Sequence, residues 1–526
     1  MNTAPSPRPT VRGELLARLA EPRVYDMAVV GGGATGLGVA LDAAARGFDV
    51  VLLEAHDFAK GTSSRSTKLV HGGVRYLAQG RVHLVREALH ERSLLLANAP
   101  HLAQPLPFVI PSYRWWEQHF YGAGLKLYDM LAGGAGLGAT EFLNREQTLR
   151  ALPTARATDL RGGIQYWDGQ FNDARLALAL ARTAARHGAL LLNYCRVESL
   201  SHERGRINGL LCVDAETGRR YPVQARCVIN ATGVWVDTLR AQEEPSPVRP
   251  LVAPSQGLHL VVEREFLPGS AALMVPKTAD GRVLFAVPWL GKVILGTTDT
   301  PRADLPLEPR PLAQEVEFIL SEAGRYLSRA PERQDVRSAW VGLRPLIQPP
   351  DEVGRATSSL SREHAVLVGR SGLVTVTGGK WTTYRAMAED VLNKCFEAGL
   401  LAEKAAGVTQ GLRLVGGDGG NTPTSIAESE GIHSYGSEGE YVLATDGSGD
   451  ELAPGLTQAM VRFAVRHEYA RTVEDVLARR SRRLFLDARL AGLLAPKVAA
   501  LVAQETGQDP QLQVFEALAA NYLNLF

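Results

Sequence analysis

The sequence predicts an α/β fold in which a parallel, helix-covered framework carries an inserted, mostly antiparallel sheet and ends in a helical module. Three observations predict it. A short apolar run (27–30), a glycine-rich turn, an alanine-rich stretch (34–46) and a second apolar run (49–53) follow one another directly, the order of a strand–turn–helix–strand unit. Between about 195 and 300 come the strand-like runs INGLLCVDAETGRRYPV, ARCVINATG, GLHLVVE, VLFAVPW and KVILGTTD, separated by turn residues. Near the end, MVRFAVRHEYARTVEDVLARR and LAGLLAPKVAALVAQ have the spacing of helices.

In chain order, residues 1–23 are rich in Pro and Arg and lack the apolar run of a secretory signal. They are expected to be a flexible extension with one helical turn around Glu14 to Leu19. The framework is expected over 24–405. Its first strands are apolar on both faces, which suits a parallel sheet buried under helices. The insert is placed within about 80–345. Val82, Val85 and Leu89 recur at helical spacing between Arg81 and Asn98. The framework resumes at HAVLVGRSGLVTVTGGKWTTYRAMAEDVLNKCF, a strand followed by a helix. Gly, Ser, Asp and Thr accumulate over 406–456 and predict a linker, with the helical module over 457–526.

Bulk properties exclude several classes. The 526 residues carry 57 Lys plus Arg against 56 Asp plus Glu, a formal net charge of +1, so no broad field is available to grip nucleic acid. Cys195, Cys212, Cys227 and Cys395 fit neither a metal-binding pair nor a dense disulfide framework, so reduced thiols and no metal are expected. No uncharged apolar stretch is long enough for a membrane-spanning helix.

The chemistry begins at Gly31-Gly32-Gly33-Ala34-Thr35-Gly36. Such a string alone is weak, but here it follows a strand and opens a helix, so backbone N–H groups and the helix dipole face a pyrophosphate. Gly31 permits the tight turn, Gly33 lets the ligand approach, and Gly36 allows close helix–strand packing. Glu54 ends the second strand, 23 positions after Gly31, where a carboxylate can accept hydrogen bonds from an adenosine ribose. Next comes GTSSRSTKLVHGG, with Thr62, Ser63, Ser64, Ser66, Lys68, His71, Gly72 and Gly73. This hydroxyl- and glycine-rich segment can wrap an extended dinucleotide, which favours FAD over a nicotinamide cofactor. The bland alternative is a flexible Ser-rich loop. A second glycine-rich helix start, Gly378-Gly379-Lys380, would aim its N-terminus at the pyrimidine edge of a flavin.

These residues resemble a known family. GGGATGLGVALDAAARG, LEAHDFAKGTSSRSTKLVHGGVRYL, ALHERSLLLANAPHL, INATGVWVD, VPWLGKVILGTTDT, AWVGLRPL, VTGGKWTTYRAMAEDV and VRHEYARTVEDVLARRSRRLF look like FAD-dependent glycerol-3-phosphate dehydrogenase in order and approximate spacing. The resemblance implies a glutathione-reductase-like FAD-binding domain with an inserted substrate-binding sheet and a C-terminal helical cap. It implies oxidation of sn-glycerol-3-phosphate to dihydroxyacetone phosphate, with electrons passed to a membrane quinone. It also places Val197 at the adenine and Ala231-Thr232-Gly233 beside the dinucleotide.

A phosphate monoester suits charge-assisted donors. Arg75, Arg344 and Lys380 each sit beside a glycine, and the resemblance brings them to one face of the flavin. Tyr76 could add a hydroxyl. His259, with Arg344 and Lys380, is the catalytic candidate, because removing the hydroxyl proton needs a base whose pKa lies near working pH. A lone His in a strand is equally well a core residue, and His71 is the alternative. Thr297-Thr298-Asp299 has two equal readings, near the cofactor or in a plain turn.

Tyr113 through Tyr121, then 125–128, combine aromatics and cations, which fits either an interfacial anchor or a packed helix. Quinone chemistry favours peripheral attachment to the inner face of the cytoplasmic membrane. Assembly as a homodimer stays open. The competing functions are an oxidase using oxygen, an amine or amino-acid oxidase of the same fold, and a non-enzymatic FAD-binding sensor.

Overall fold

The computed structural model describes residues 6–77, 80–243, 249–348, 363–419 and 423–525, apart from the side chains of Arg75 and Tyr76. Two sheets organise it. In the framework sheet, Val24–Val30 pairs in parallel with Val50–Leu53 on one side and with Arg220–Asn230 on the other. Leu190–Leu192 and Leu373–Gly378 extend it, also in parallel. Val24–Val30 is buried from Met27 onwards and Val50–Leu53 throughout, as expected for central strands covered on both faces. The helices Ala34–Ala45, Asp173–Arg186 and Tyr384–Glu397 cover one face and share a core with Met27, Val29, Val50, Leu52 and Ile229.

The second sheet has ten strands among the described residues and is built in two passes of the chain. Ala103–Ser112 and Gly162–Phe171 belong to the first, and Val252–Glu263, Leu284–Trp289, Lys292–Gly296 and Ser338–Ile347 to the second. Nearly all pairings are antiparallel, the parallel pair Ala272–Val275 with Ala103–Ser112 being the exception among the described strands. The strands at 195–230 belong to the framework rather than the insert. Cys195–Glu203 and Arg206–Asp214 form an antiparallel meander that leads into Arg220–Asn230, a central strand beside Val24–Val30. Strand propensity cannot separate the two sheets, because pairing partners decide membership.

The two ends of the chain also differ from expectation. Residues 12–20, assigned to a flexible extension, form the helix Arg12–Ala20. Arg12 is buried and paired with Asp214, while Leu19 joins the framework core. The segment at 406–456, expected to be a linker, buries Leu414, Val415, Ile426, Tyr435 and Val442. Ile426, Tyr435 and Val442 share one core with Trp289 and Trp340 of the insert and with Phe463, Phe485 and Phe515 of the helical module. Glycine there supplies turns: Gly416 has φ +84°, and a Cβ on it would lie 2.6 Å from His101 Nε2. The C-terminal module is therefore continuous with the core of the insert.

Candidate active site

The two sheets meet along a cavity of about 400 Å³. At one end stands the first glycine-rich turn. Gly31 has φ +109°, and a Cβ there would lie 2.5 Å from the Ala231 carbonyl oxygen. A Cβ on Gly36 would lie 1.9 Å from Gly31 O, so the helix can meet the strand this closely only with hydrogen at that position. Gly33, Ala34 and Thr35 line the cavity at the start of Ala34–Ala45. The Ala34 N–H donates to Ser63 Oγ at 2.9 Å. Glu54 accepts from the Gly32 N–H (2.6 Å) and the His56 N–H (2.8 Å), and burial pushes its pKa up.

The hydroxyl-rich segment forms the next wall. Thr62, Ser63 and Ser66 line the cavity, followed by His71 and Gly73. Thr62 Oγ1 donates to Leu343 O at 2.5 Å, the Ser66 hydroxyl donates to Asp173 at 2.7 Å, and the His71 N–H donates to Thr382 Oγ1 at 3.2 Å. Beside the first turn, Ala231 and Gly233 line the cavity. At the second helix start, Gly378 (φ +80°) and Gly379 precede Lys380, and all three line it. Trp381 Nε1 donates to Ser63 O at 2.8 Å, tying the second glycine-rich turn to the hydroxyl-rich loop.

The structure holds other expected cofactor residues back from the cavity wall. Ser64 and Lys68 are buried behind the loop. Lys68 Nζ donates to Asp173 (2.6 Å) and to Ser64 O (2.7 Å) and lies 4.3 Å from the Trp340 ring centre, and burial lowers its pKa to about 7. Gly72 is packed under Tyr128, whose hydroxyl would lie 2.4 Å from a Cβ there. Thr232 bonds Asn230, and Val197 packs with the framework core. The side chains of Arg75 and Tyr76 lie outside the described residues, although their backbone forms the short helix Val74–Leu77.

His259 and Arg344 line the cavity from the insert, and Lys380 lines it from the second helix start of the framework. His259 sits on Val252–Glu263 between Gly296 and Trp340. Its ring stacks on Trp340 with centres 4.1 Å apart, and its Nε2 lies 3.0 Å from Thr67 Oγ1. Burial, reinforced by Lys68 and Arg344, holds its pKa well below the usual imidazole value, so the ring is neutral near pH 7. Arg344 donates from Nη2 to Thr297 Oγ1 (3.1 Å) and Thr298 O (3.0 Å), and its Nη1 stands 3.4 Å from Asp299. Thr297-Thr298-Asp299, which the sequence left between cofactor and turn, thus holds Arg344 at the wall.

Sequence reasoning missed Arg282 and Thr67. Arg282 lines the cavity and donates to Asp299 O at 3.2 Å. Its surroundings, TADGRV, look like an ordinary turn. Thr67 carried a signal, since it lies inside the hydroxyl-rich segment. The wall therefore carries Arg65, Arg81, Arg282, Arg344 and Lys380 against two carboxylates, Asp168 and Asp299. Asp168 is already held by Arg92 (2.8 Å) and Tyr128 (2.9 Å).

A family model described as FAD dependent oxidoreductase matches residues 26–385, and one described as the C-terminal domain of alpha-glycerophosphate oxidase matches 407–513. A probable mitochondrial glycerol-3-phosphate dehydrogenase of Caenorhabditis elegans is 42% identical over 96% of this chain and 73% of its own length. The chain belongs to the FAD-dependent glycerol-3-phosphate dehydrogenase family. Another dehydrogenase of this family, mitochondrial in Arabidopsis thaliana, is 39% identical over 97% of this chain and 87% of its own. Among solved structures, the glycerol-3-phosphate dehydrogenase of Bacillus halodurans complexed with FAD superposes with a TM-score of 0.77 at 29% identity, covering 98% of this chain and 97% of that one. The L-alpha-glycerophosphate oxidase of Mycoplasma pneumoniae shares the fold, with a TM-score of 0.57 at 16% identity, 74% of this chain and 99% of that one.

The family is FAD-dependent, and the cavity suits that group. Gly33, Ala34 and Thr35 place main-chain N–H groups at the start of the first helix, and small residues and hydroxyls line the channel.

Proposed function

We propose that this dehydrogenase oxidises sn-glycerol-3-phosphate to dihydroxyacetone phosphate and passes the electrons to a membrane quinone. The observation that carries the reading is that Arg344, Lys380 and His259 line one cavity, with His259 held against Thr67 of the loop at 62–67. The substrates named for the relatives support it.

Gly33–Thr35, Thr62, Ser63, Ala231 and Gly378–Gly379 would hold FAD, which supplies a two-electron acceptor for the hydride on the alcohol carbon. Arg344 and Lys380 bind the phosphate, helped by Arg75, Tyr76 and Arg282. A guanidinium and an ammonium matched to a dianion give both affinity and orientation. His259, neutral near pH 7, takes the hydroxyl proton at Nε2 in place of its Thr67 contact. Trp340 fixes the plane of the imidazole.

Membrane attachment is peripheral, on the inner face of the cytoplasmic membrane. Trp115 (74% exposed), Phe120 (68%) and Met130 (77%) project from the region of the helix Glu117–Ala132, with Leu127 and Phe142 beside them. An outward apolar face of this kind fits an interfacial anchor. No helix among the described residues is long and apolar enough to cross a membrane.

A second acceptor reading, oxygen, is favoured by the description of the C-terminal model as part of alpha-glycerophosphate oxidase. One experiment separates the two. The yellow enzyme is bleached anaerobically with glycerol-3-phosphate, then mixed with a water-soluble quinone analogue or with air. Rapid recolouring by the quinone and slow recolouring by air supports the dehydrogenase. Rapid recolouring by air contradicts it, and absence of bleaching rejects the substrate.

A further inference from the structure

A buried ionic seam joins the C-terminal module to the back of the loop at 62–67. Along 474–482, Glu474 pairs with Lys60 at 2.8 Å. Arg479 and Arg480 both grip Asp57, Arg480 Nη2 donating to Asp57 Oδ1 at 2.9 Å. Arg482 Nη2 donates to Ser64 O at 2.7 Å and stands 3.4 Å from Asp173. Lys68 Nζ donates to the same Ser64 O from the other side, also at 2.7 Å. Arg482 and Lys68 are both fully buried.

Burying such charges is costly, so a seam of this kind is weak evidence for stability and better evidence for a fixed arrangement. What it fixes is specific. Two cations converge on one carbonyl, and the residues around that carbonyl touch both glycine-rich helix starts and His259. Ser63 Oγ accepts from the first helix start, Ser63 O accepts from Trp381 at the second, and Thr67 meets His259. Ser64 is thus the pivot of the loop, and Arg482 is the part of that pivot contributed by the C-terminal module. Arg482 also stacks on Phe485, 4.0 Å from its ring centre, and donates to Ala478 O at 2.8 Å, so its head is held by the module as well as by the loop.

We propose that Arg482 is a positioning residue through which the C-terminal module sets the geometry of the FAD-holding loop. The inference rests on FAD binding and does not depend on the substrate. It is tested in the full-length holoenzyme with Arg482→Gln, Arg482→Lys and, as a control, Arg462→Gln. The control breaks the module's own Arg462–Glu505 pair, away from the loop. FAD release on dilution, the midpoint potential of the bound flavin and the melting temperature are measured for each.

Arg482→Gln releases FAD at least about tenfold faster and shifts the potential. Arg482→Lys recovers most of both, because an ammonium still reaches a carbonyl. Arg462→Gln lowers the melting temperature with FAD release unchanged. Release from Arg482→Gln at the wild-type rate overturns the proposal, as does release that merely tracks melting temperature across all three variants. If Arg482→Gln does not fold, hydrogen exchange on the wild-type chain with and without FAD decides. Protection gained at 474–482 beyond that at 490–506 supports the proposal, and equal protection overturns it.

Discussion

The two ends of the cavity are built by opposite means. At the Gly33 end, the lining depends on what is missing: side chains are absent at Gly31 and Gly36, and main-chain N–H groups open the helix. At the His259 end it depends on long side chains, each held by a partner: Arg344 by Thr297 and Thr298, Arg282 by Asp299 O, and His259 by Trp340 and Thr67. The first end is short-range and tolerates almost no change in volume. The second is assembled from distant strands.

Variants can break this contrast. The largest effect is expected for Gly36→Val, whose Cβ would lie 1.9 Å from a backbone oxygen that has no room to yield. It should destabilise the chain by about 3 kcal/mol or more and abolish flavin binding, read as melting temperature and flavin per chain. His259→Gln should leave flavin content intact and slow anaerobic flavin reduction by about a thousandfold, the scale of a lost general base. Arg344→Met should lower kcat/KM for glycerol-3-phosphate by about a hundredfold, mostly through KM, with flavin again retained.

The pH dependence sharpens the same contrast. His259 titrates well below its ordinary value of 6.5, so the unfolded chain binds a proton that the folded chain refuses. This contribution to stability is complete above about pH 6.5 and is lost as the pH falls towards the depressed pKa. Denaturant midpoints measured between neutral and acid pH should fall less steeply for His259→Gln than for wild type. The smallest effect on catalysis is expected for Trp115→Asp. With Trp115 74% exposed, the variant should fold and reduce a soluble dye normally while partitioning less to vesicles. Loss of folding would instead make this face part of the core.

The Gly33 end was legible in the sequence because its parts are contiguous. Gly31, Gly36 and Glu54 lie in one strand–turn–helix–strand unit, and each has a local steric or hydrogen-bonding reason. The His259 end was legible only in part. His259, Arg344 and Lys380 stood out through their motifs, whereas Arg282 sits in an ordinary-looking turn and reaches the wall through sheet pairing. Lys68 shows the opposite failure. Its motif suggested a ligand contact, but its charge is spent on Asp173 and Ser64 behind the loop. The polar stretch at 406–456 looked like a linker because Gly, Ser, Asp and Thr accumulate there. A few apolar residues, Ile426 and Tyr435 among them, suffice to bind it to the core.

The account stands on a cationic end that selects a phosphorylated alcohol. It is tested most directly by anaerobic titration of the holoenzyme with sn-glycerol-3-phosphate and, separately, with glycerol, following the visible flavin band. The account predicts bleaching by the phosphate ester at concentrations at least about a hundredfold lower than glycerol requires, with that advantage largely lost in Arg344→Met. Equal bleaching by both alcohols, or an advantage that survives in Arg344→Met, would contradict it.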